Sequence, residues 1–136
     1  MAAETAYALV QVAHNFGAVA VVGSPAAAWL WVREQRRAPS VLMWLVGVGW
    51  WLQIASGVGF AATSYLSRGE LPETSGVALI ALSIKVGCAI CALSMVGVYA
   101  WRRHTQGLQS QIWVWPILSA IGAVALVNAA LLRWFG

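Results

Sequence analysis

His14 and Lys85 each stand inside a long uncharged stretch of this chain, where an ionisable side chain is out of keeping with its neighbours. An imidazole in that setting is equipped to ligate a metal or carry a proton. A buried ammonium brings positive charge to a carbonyl or anionic oxygen. Gln11 and Asn15 share the stretch of His14, Gln53 and Ser56 lie on the next one, and Asn128 lies on the last. Trp50 and Trp51 sit mid-stretch, where an indole can wall a flat ring or donate its N–H inward. Cys88 and Cys91 form a Cys-Ala-Ile-Cys sequence with no second pair, whereas a structural zinc site wants four ligands. Their spacing with Ile84 and Met95 is that of one helix face, so they read as soft packing residues.

These residues need helices to position them, and composition says which solvent surrounds those helices. Of 136 residues, 61% are hydrophobic and 9% charged, and the four acidic residues are all Glu. A soluble domain carries about a quarter charged residues to cover its surface, so lipid must do the covering here. The net charge of +4 is small and scattered, which excludes a nucleic-acid surface. A helix rising about 1.5 Å per residue needs about 20 apolar residues to cross a hydrocarbon core. Four runs meet that need, at about 5–32, 40–66, 75–101 and 111–133, in a single domain spanning 1–136. Short connections make neighbours antiparallel. The expectation is an all-α integral membrane protein, an up-down four-helix bundle.

Orientation follows from the basic residues at the helix ends. Arg33, Arg36, Arg37, Arg102 and Arg103 fall on one side, with His104 solvated beside them; Arg68 and Arg133 fall on the other, accompanied by Glu4, Glu70 and Glu73. Both termini are therefore expected on the periplasmic or exterior side of a bacterial inner membrane. Trp29, Trp31, Trp44, Trp101, Trp113 and Trp115 cluster at the opposite ends, where amphipathic rings favour the headgroup level, and Trp134 marks the other interface. No basic stretch precedes the first run, which exceeds a signal-peptide core of about 7 to 15 residues, so that helix is expected to stay.

Polar side chains inside spans are costly and usually face the bundle interior or a cavity. Counted from the middle of each run at the helical rise, His14 and Asn128 lie about 7 Å toward the outer side, Ser56 about 5 Å and Lys85 about 4 Å. All four helices thus place a polar group at one level. Tyr7, Gln11, His14 and Ala18 fall on one face of the first helix, and Gly17 and Gly23 admit a close neighbour to it. Ser24 and Pro25 predict a local kink. The expected site comprises His14, Lys85, Gln53, Asn128, Gln11 and Trp50, with His14 as the metal ligand.

The stretch from His14 through Gly17 and Gly23, the Ser56-Gly-Val-Gly59 run late in the second helix, and Lys85 followed by Arg102-Arg103 resemble the four-helix membrane proteins grouped with copper-resistance protein D. That group includes the HemJ-type protoporphyrinogen oxidases. In those proteins a His on an early helix and a Lys on a later one form the functional pair and are associated with a b-type haem; by position the resemblance implies His14 and Lys85. The HemJ-type proteins carry a Tyr-His pair late in the Lys-bearing helix, whereas this chain has Val98-Tyr99 and no second His within a span. Bis-His haem is thus beyond one chain. Lys85, a Met, water or a second subunit would have to complete the iron. The Met and His clusters that copper would want are lacking too.

Taken together, the sequence points to a haem- or quinone-linked redox role in which His14 ligates or moves a proton and Lys85 faces a propionate or quinone oxygen. A homo-oligomer or a larger membrane complex is the expected setting. The alternative is a non-catalytic accessory subunit of such a complex, and a small transporter ranks below both.

Overall fold

The computed structural model describes residues 2–35, 38–69, 76–106 and 112–135. Four helices occupy them: α1 (Ala2–Gln35), α2 (Ser40–Arg68), α3 (Val77–Gln106) and α4 (Val114–Phe135). Each is long and apolar enough to cross a membrane. Arg36, Arg37, Glu70 and Glu73, which the orientation argument used, lie outside the described residues, as do the expected starts of the third and fourth spans at 75 and 111.

The helix ends follow local chemistry. Glu4 in the first turn of α1, Arg33 in its last, Arg103 and His104 in the last turn of α3 and Arg133 in the last turn of α4 all complement the helix dipole. Pro39 lies at the start of α2, where its fixed φ is compatible and a missing N–H costs nothing. Gly69 closes α2 at φ 76°, its N–H donating to the Tyr65 carbonyl at 2.8 Å. That left-handed cap is one a side chain resists.

The helices form a ring in which α1 packs on α2 and α4, α3 packs on α4, and the α2–α3 seam is the thinnest. The α1–α2 pair is antiparallel. Position 59 of α2 lies against Val10, 56 against His14 and 49 against Val21, so numbering falls on α2 as it rises on α1. The core holds Trp50, Trp115, Leu118, Val21, Val32, Val46 and Pro25, all fully buried. Large apolar side chains such as Phe16, Trp44, Leu66 and Trp134 point outward instead, as lipid permits.

Two glycine contacts set how closely the helices approach. A methyl group on Gly49 would stand 2.8 Å from the Ala20 Cβ and 3.2 Å from the Gly17 carbonyl oxygen, so α1 and α2 touch backbone to backbone. On the other flank of α1, Pro25 supplies no N–H to the Val21 carbonyl one turn earlier. Gly122 of α4 meets that same oxygen, and a Cβ there would lie 2.7 Å from it. In glycine a Cα hydrogen occupies that direction and offers the freed carbonyl a weak donor. The helix runs unbroken from Ala2 to Gln35, so Pro25 does not interrupt α1.

Several sequence expectations change in three dimensions. Trp115, expected among the headgroup-level rings, is fully buried, because the first turn of α4 lays it against Tyr99 of α3 with ring centroids 5.2 Å apart. Gly23 has nothing within 4 Å of a Cβ, so the close approach on α1 belongs to Gly17 and not to both glycines. Cys88 and Met95 pack against the core, whereas Ile84 and Cys91 turn outward, because α3 meets its neighbours along a narrower strip than the spacing alone suggests.

Candidate functional site

The site is built from the close α1–α2 crossing upward. The space a Cβ at Gly17 would fill holds the Gln53 amide nitrogen, 3.0 Å away. Gln53 is therefore free to donate from α2 to the His14 carbonyl oxygen of α1 at 2.6 Å. One turn further along α2, the Ser56 hydroxyl lies 2.7 Å from His14 Nδ1. From the far side of the ring, Lys85 of α3 places its Nζ 3.4 Å from His14 Nε2. Three helices meet at one imidazole.

Hydrogen-bond accounting fixes the tautomer. The single hydroxyl proton of Ser56 goes to its own helix, to the Leu52 carbonyl at 2.5 Å, with Gln53 O at 3.2 Å. The Ser56 oxygen therefore accepts from His14 Nδ1–H, which leaves Nε2 as a lone pair facing the Lys85 ammonium. A second ring proton would point at a cation. The chain of donors runs in one sense, from Lys85 through His14 and Ser56 to the Leu52 carbonyl. Lys85 has three N–H donors and spends one on His14, and among the described residues no carboxylate pairs with it.

Burial is graded across the group. Gln53 and Ser56 are buried, whereas His14 and Lys85 are half-buried, so the charged end is the accessible one. Phe60, one turn beyond Ser56, presents itself edge-on to the His14 ring at 5.6 Å, and Tyr7 packs on Phe60 at 5.2 Å. The aromatic pair lies on the side of His14 nearer the start of α1 and the end of α2.

Of the six residues singled out from sequence, the structure brings His14, Lys85 and Gln53 together. Gln11 bonds Asn15 on its own helix in an exposed pair at 3.0 Å, and the Asn128 amide returns to the Val124 carbonyl at 2.8 Å, so neither reaches His14. Trp50 is wholly interior and its indole N–H has no partner among the described residues, while Trp51 is 63% exposed on the outer face. Ser56 proves to be the direct partner of His14. Phe60 carried no signal of its own as an apolar residue in an apolar span; its place one turn from Ser56 is what puts it against the ring.

As a metal site the group is ill arranged. Both imidazole nitrogens are engaged, and among the described residues no three His, Cys, Asp or Glu side chains cluster. An axial haem ligand needs the imidazole lone pair, and in this arrangement that lone pair, on Nε2, faces Lys85 Nζ at 3.4 Å.

Ser56→Ala should lower stability by about 1–3 kcal/mol, because it strands the Nδ1–H in a part-buried position. Asn128→Leu should cost less, since its bond is local. Thermal unfolding in detergent compares the two, and nitrogen NMR of the imidazole should show the Nδ1–H form in the native chain and a mixture in Ser56→Ala. Equal unfolding shifts with an unchanged tautomer would discard the accounting above.

No protein-family model, curated protein or solved structure matches this chain.

Proposed function

We propose that this is a multi-pass protein of a bacterial inner membrane, with both termini on the periplasmic side, that binds a quinone headgroup through Lys85 in a redox-linked role. One observation carries the reading: Lys85 Nζ, on a helix long and apolar enough to cross a membrane, stands 3.4 Å from His14 Nε2 with donors to spare and no carboxylate beside it among the described residues. Intramembrane charge is costly and is kept where it serves a ligand or a proton. A ring carbonyl suits this place well. Lys85 donates to its oxygen and opposes negative charge gained there, while the Ser56–His14 pair keeps the ammonium from swinging to the interface. Phe60 and Tyr7 offer apolar surface to the ring and its tail.

Quinone is favoured over the b-type haem that the resemblance implies, because a carbonyl oxygen needs the donors Lys85 still has, whereas iron needs the lone pair that Lys85 already occupies. The membership in a homo-oligomer or larger complex belongs to the same proposal. It is supported by the large apolar side chains, such as Phe16, Trp44 and Leu66, that the described helices leave exposed.

The test is a photoreactive ubiquinone analogue added to gently extracted protein, followed by peptide mapping and an absorbance spectrum. Labelling of the His14 or Lys85 peptides, competed by unmodified quinone, supports the reading. A Soret band lost in His14→Ala replaces quinone with haem. Colourless, unlabelled protein that co-purifies with larger subunits at fixed stoichiometry rejects both in favour of an accessory subunit.

A further inference from the structure

Lys85 is only half-buried, so one side of the bundle leaves it open, and the packing of the helices shows which. The α2–α3 seam is the thinnest in the ring. Its closed part is marked by Gly47, where a Cβ would stand 3.7 Å from a methyl group of Val96. From there numbering rises on α2 and falls on α3, since Ser56 and Lys85 next meet at His14. Position 57 of α2 is therefore level with Val86 of α3, about 15 Å from the Gly47 contact.

Along α2, Trp50, Ile54, Gly57 and Ala61 share one face, which begins a turn beyond Gly47. Trp50 is wholly buried, whereas Ile54 and Gly57 are exposed, and a Cβ on Gly57 would meet nothing within 4 Å. The facing strip of α3 changes in the same way. Val96 and Leu93 pack on the core and Ala89 is buried, but Val86 is 50% and Leu82 38% exposed. Exposure that begins at one level on both helices means that they stand apart there. That level is the one at which Ser56 and Lys85 reach His14, and Gly57 and Val86 are their immediate neighbours in the chain. The α1–α4 and α3–α4 seams are held instead by Gly122 on Val21 and by Tyr99 on Trp115.

We propose that this opening holds the tail of a polyprenyl quinone, which enters sideways from the lipid so that only its ring reaches Lys85. The opening takes this role only if the quinone reading holds, and it makes the tail as well as the ring a determinant of binding. A polyprenyl chain has no polar atom and is driven out of water, so the lipid side is the approach open to it. The walls match it: Ile54, Val86 and Leu82 are apolar, and the missing side chain at Gly57 lets a branched chain lie close to the backbone. Phe60, one turn from Gly57 on α2, borders the place where ring and tail join.

The experiment uses gently extracted protein and two photoreactive ubiquinone analogues, one reactive at the ring and one at the tail, each followed by peptide mapping. The ring probe should mark the His14 or Lys85 peptides, and the tail probe should mark α2 and α3 around Gly57 and Val86. Gly57→Trp fills the opening and should weaken binding of the tailed analogue at least about tenfold, as overpacking does. A ubiquinone headgroup without a tail should lose less than about twofold in the same variant, and Gly23→Trp, at an open glycine of α1, should change neither. Tail labelling on α1 or α4, native binding of the tailed analogue by Gly57→Trp, or equal losses for tailed and tail-less quinone would overturn the opening and leave the quinone reading standing. Absence of competed labelling by either probe in the native chain would remove both together. If Gly57→Trp does not fold, tail mapping on the native chain decides the matter.

Discussion

Lys85→Met is expected to abolish quinone labelling while leaving the bundle as stable as before or more so. The two readouts part company because the ammonium is costly where it stands. Insertion measurements put a central Lys at about 2.5–3.5 kcal/mol unfavourable, part of which snorkelling and partial exposure recover. Its bond to His14 Nε2, the one it makes among the described residues, is long at 3.4 Å, so it orients the ammonium but offsets only part of that cost. A methionine of similar length fills the same space without the charge. A residue that costs stability and is nonetheless present is the mark of a functional position. Thermal unfolding in detergent and analogue labelling should be measured on the same preparation. A Lys85→Met protein that unfolds earlier and labels normally would show the ammonium to be structural. His14→Ala combined with Lys85→Met should also couple non-additively in labelling, because the imidazole acts on the ligand only through the ammonium it holds.

Gly122→Ala and Gly87→Ala should shift stability in opposite directions. Both add one methyl group to a membrane helix. At Gly122 the methyl would stand 2.7 Å from the Val21 carbonyl oxygen and 3.0 Å from a Val22 methyl. Backbone cannot rotate out of the way as a side chain does, so α4 must move off α1. The carbonyl that Pro25 left without a helical donor then loses its weak replacement as well. A loss of about 1–3 kcal/mol is the usual scale for overpacking of this kind. At Gly87 nothing lies within 4 Å, and the substitution only gains the better helix propensity of alanine. Parallel unfolding curves settle it. Equal shifts of the same sign would mean that α1 and α4 are not in close contact.

Those two expectations draw on different depths of information. The cost of Lys85 was visible in the chain itself, since one charge in a run of apolar residues needs no structure to be noticed. The cost of a methyl at Gly122 was not. Gly122 is one of 13 glycines, and nothing in its neighbours separates it from Gly87, yet one touches backbone and the other touches nothing. Asn128 teaches the same lesson in reverse. Its depth matched that of His14, but depth along a helix says nothing of rotation about it, and its amide turned back to Val124.

The sequence by itself determined four spanning helices, because hydrophobic length against bilayer thickness is a one-dimensional quantity that each segment satisfies alone. It also determined that His14 and Lys85 were out of place, since the penalty for a polar group in lipid is again local. Only the tertiary structure decided that Ser56 and Lys85 take the two ends of one imidazole, that Gln11 and Asn128 do not join them, and that Trp115 turns inward against Tyr99. Those choices depend on how far each helix is rotated and how near its neighbour lies. Both are set by contacts such as Gly17 on Gly49 and Gly122 on Val21, which involve two segments at once and leave no trace in either one read separately.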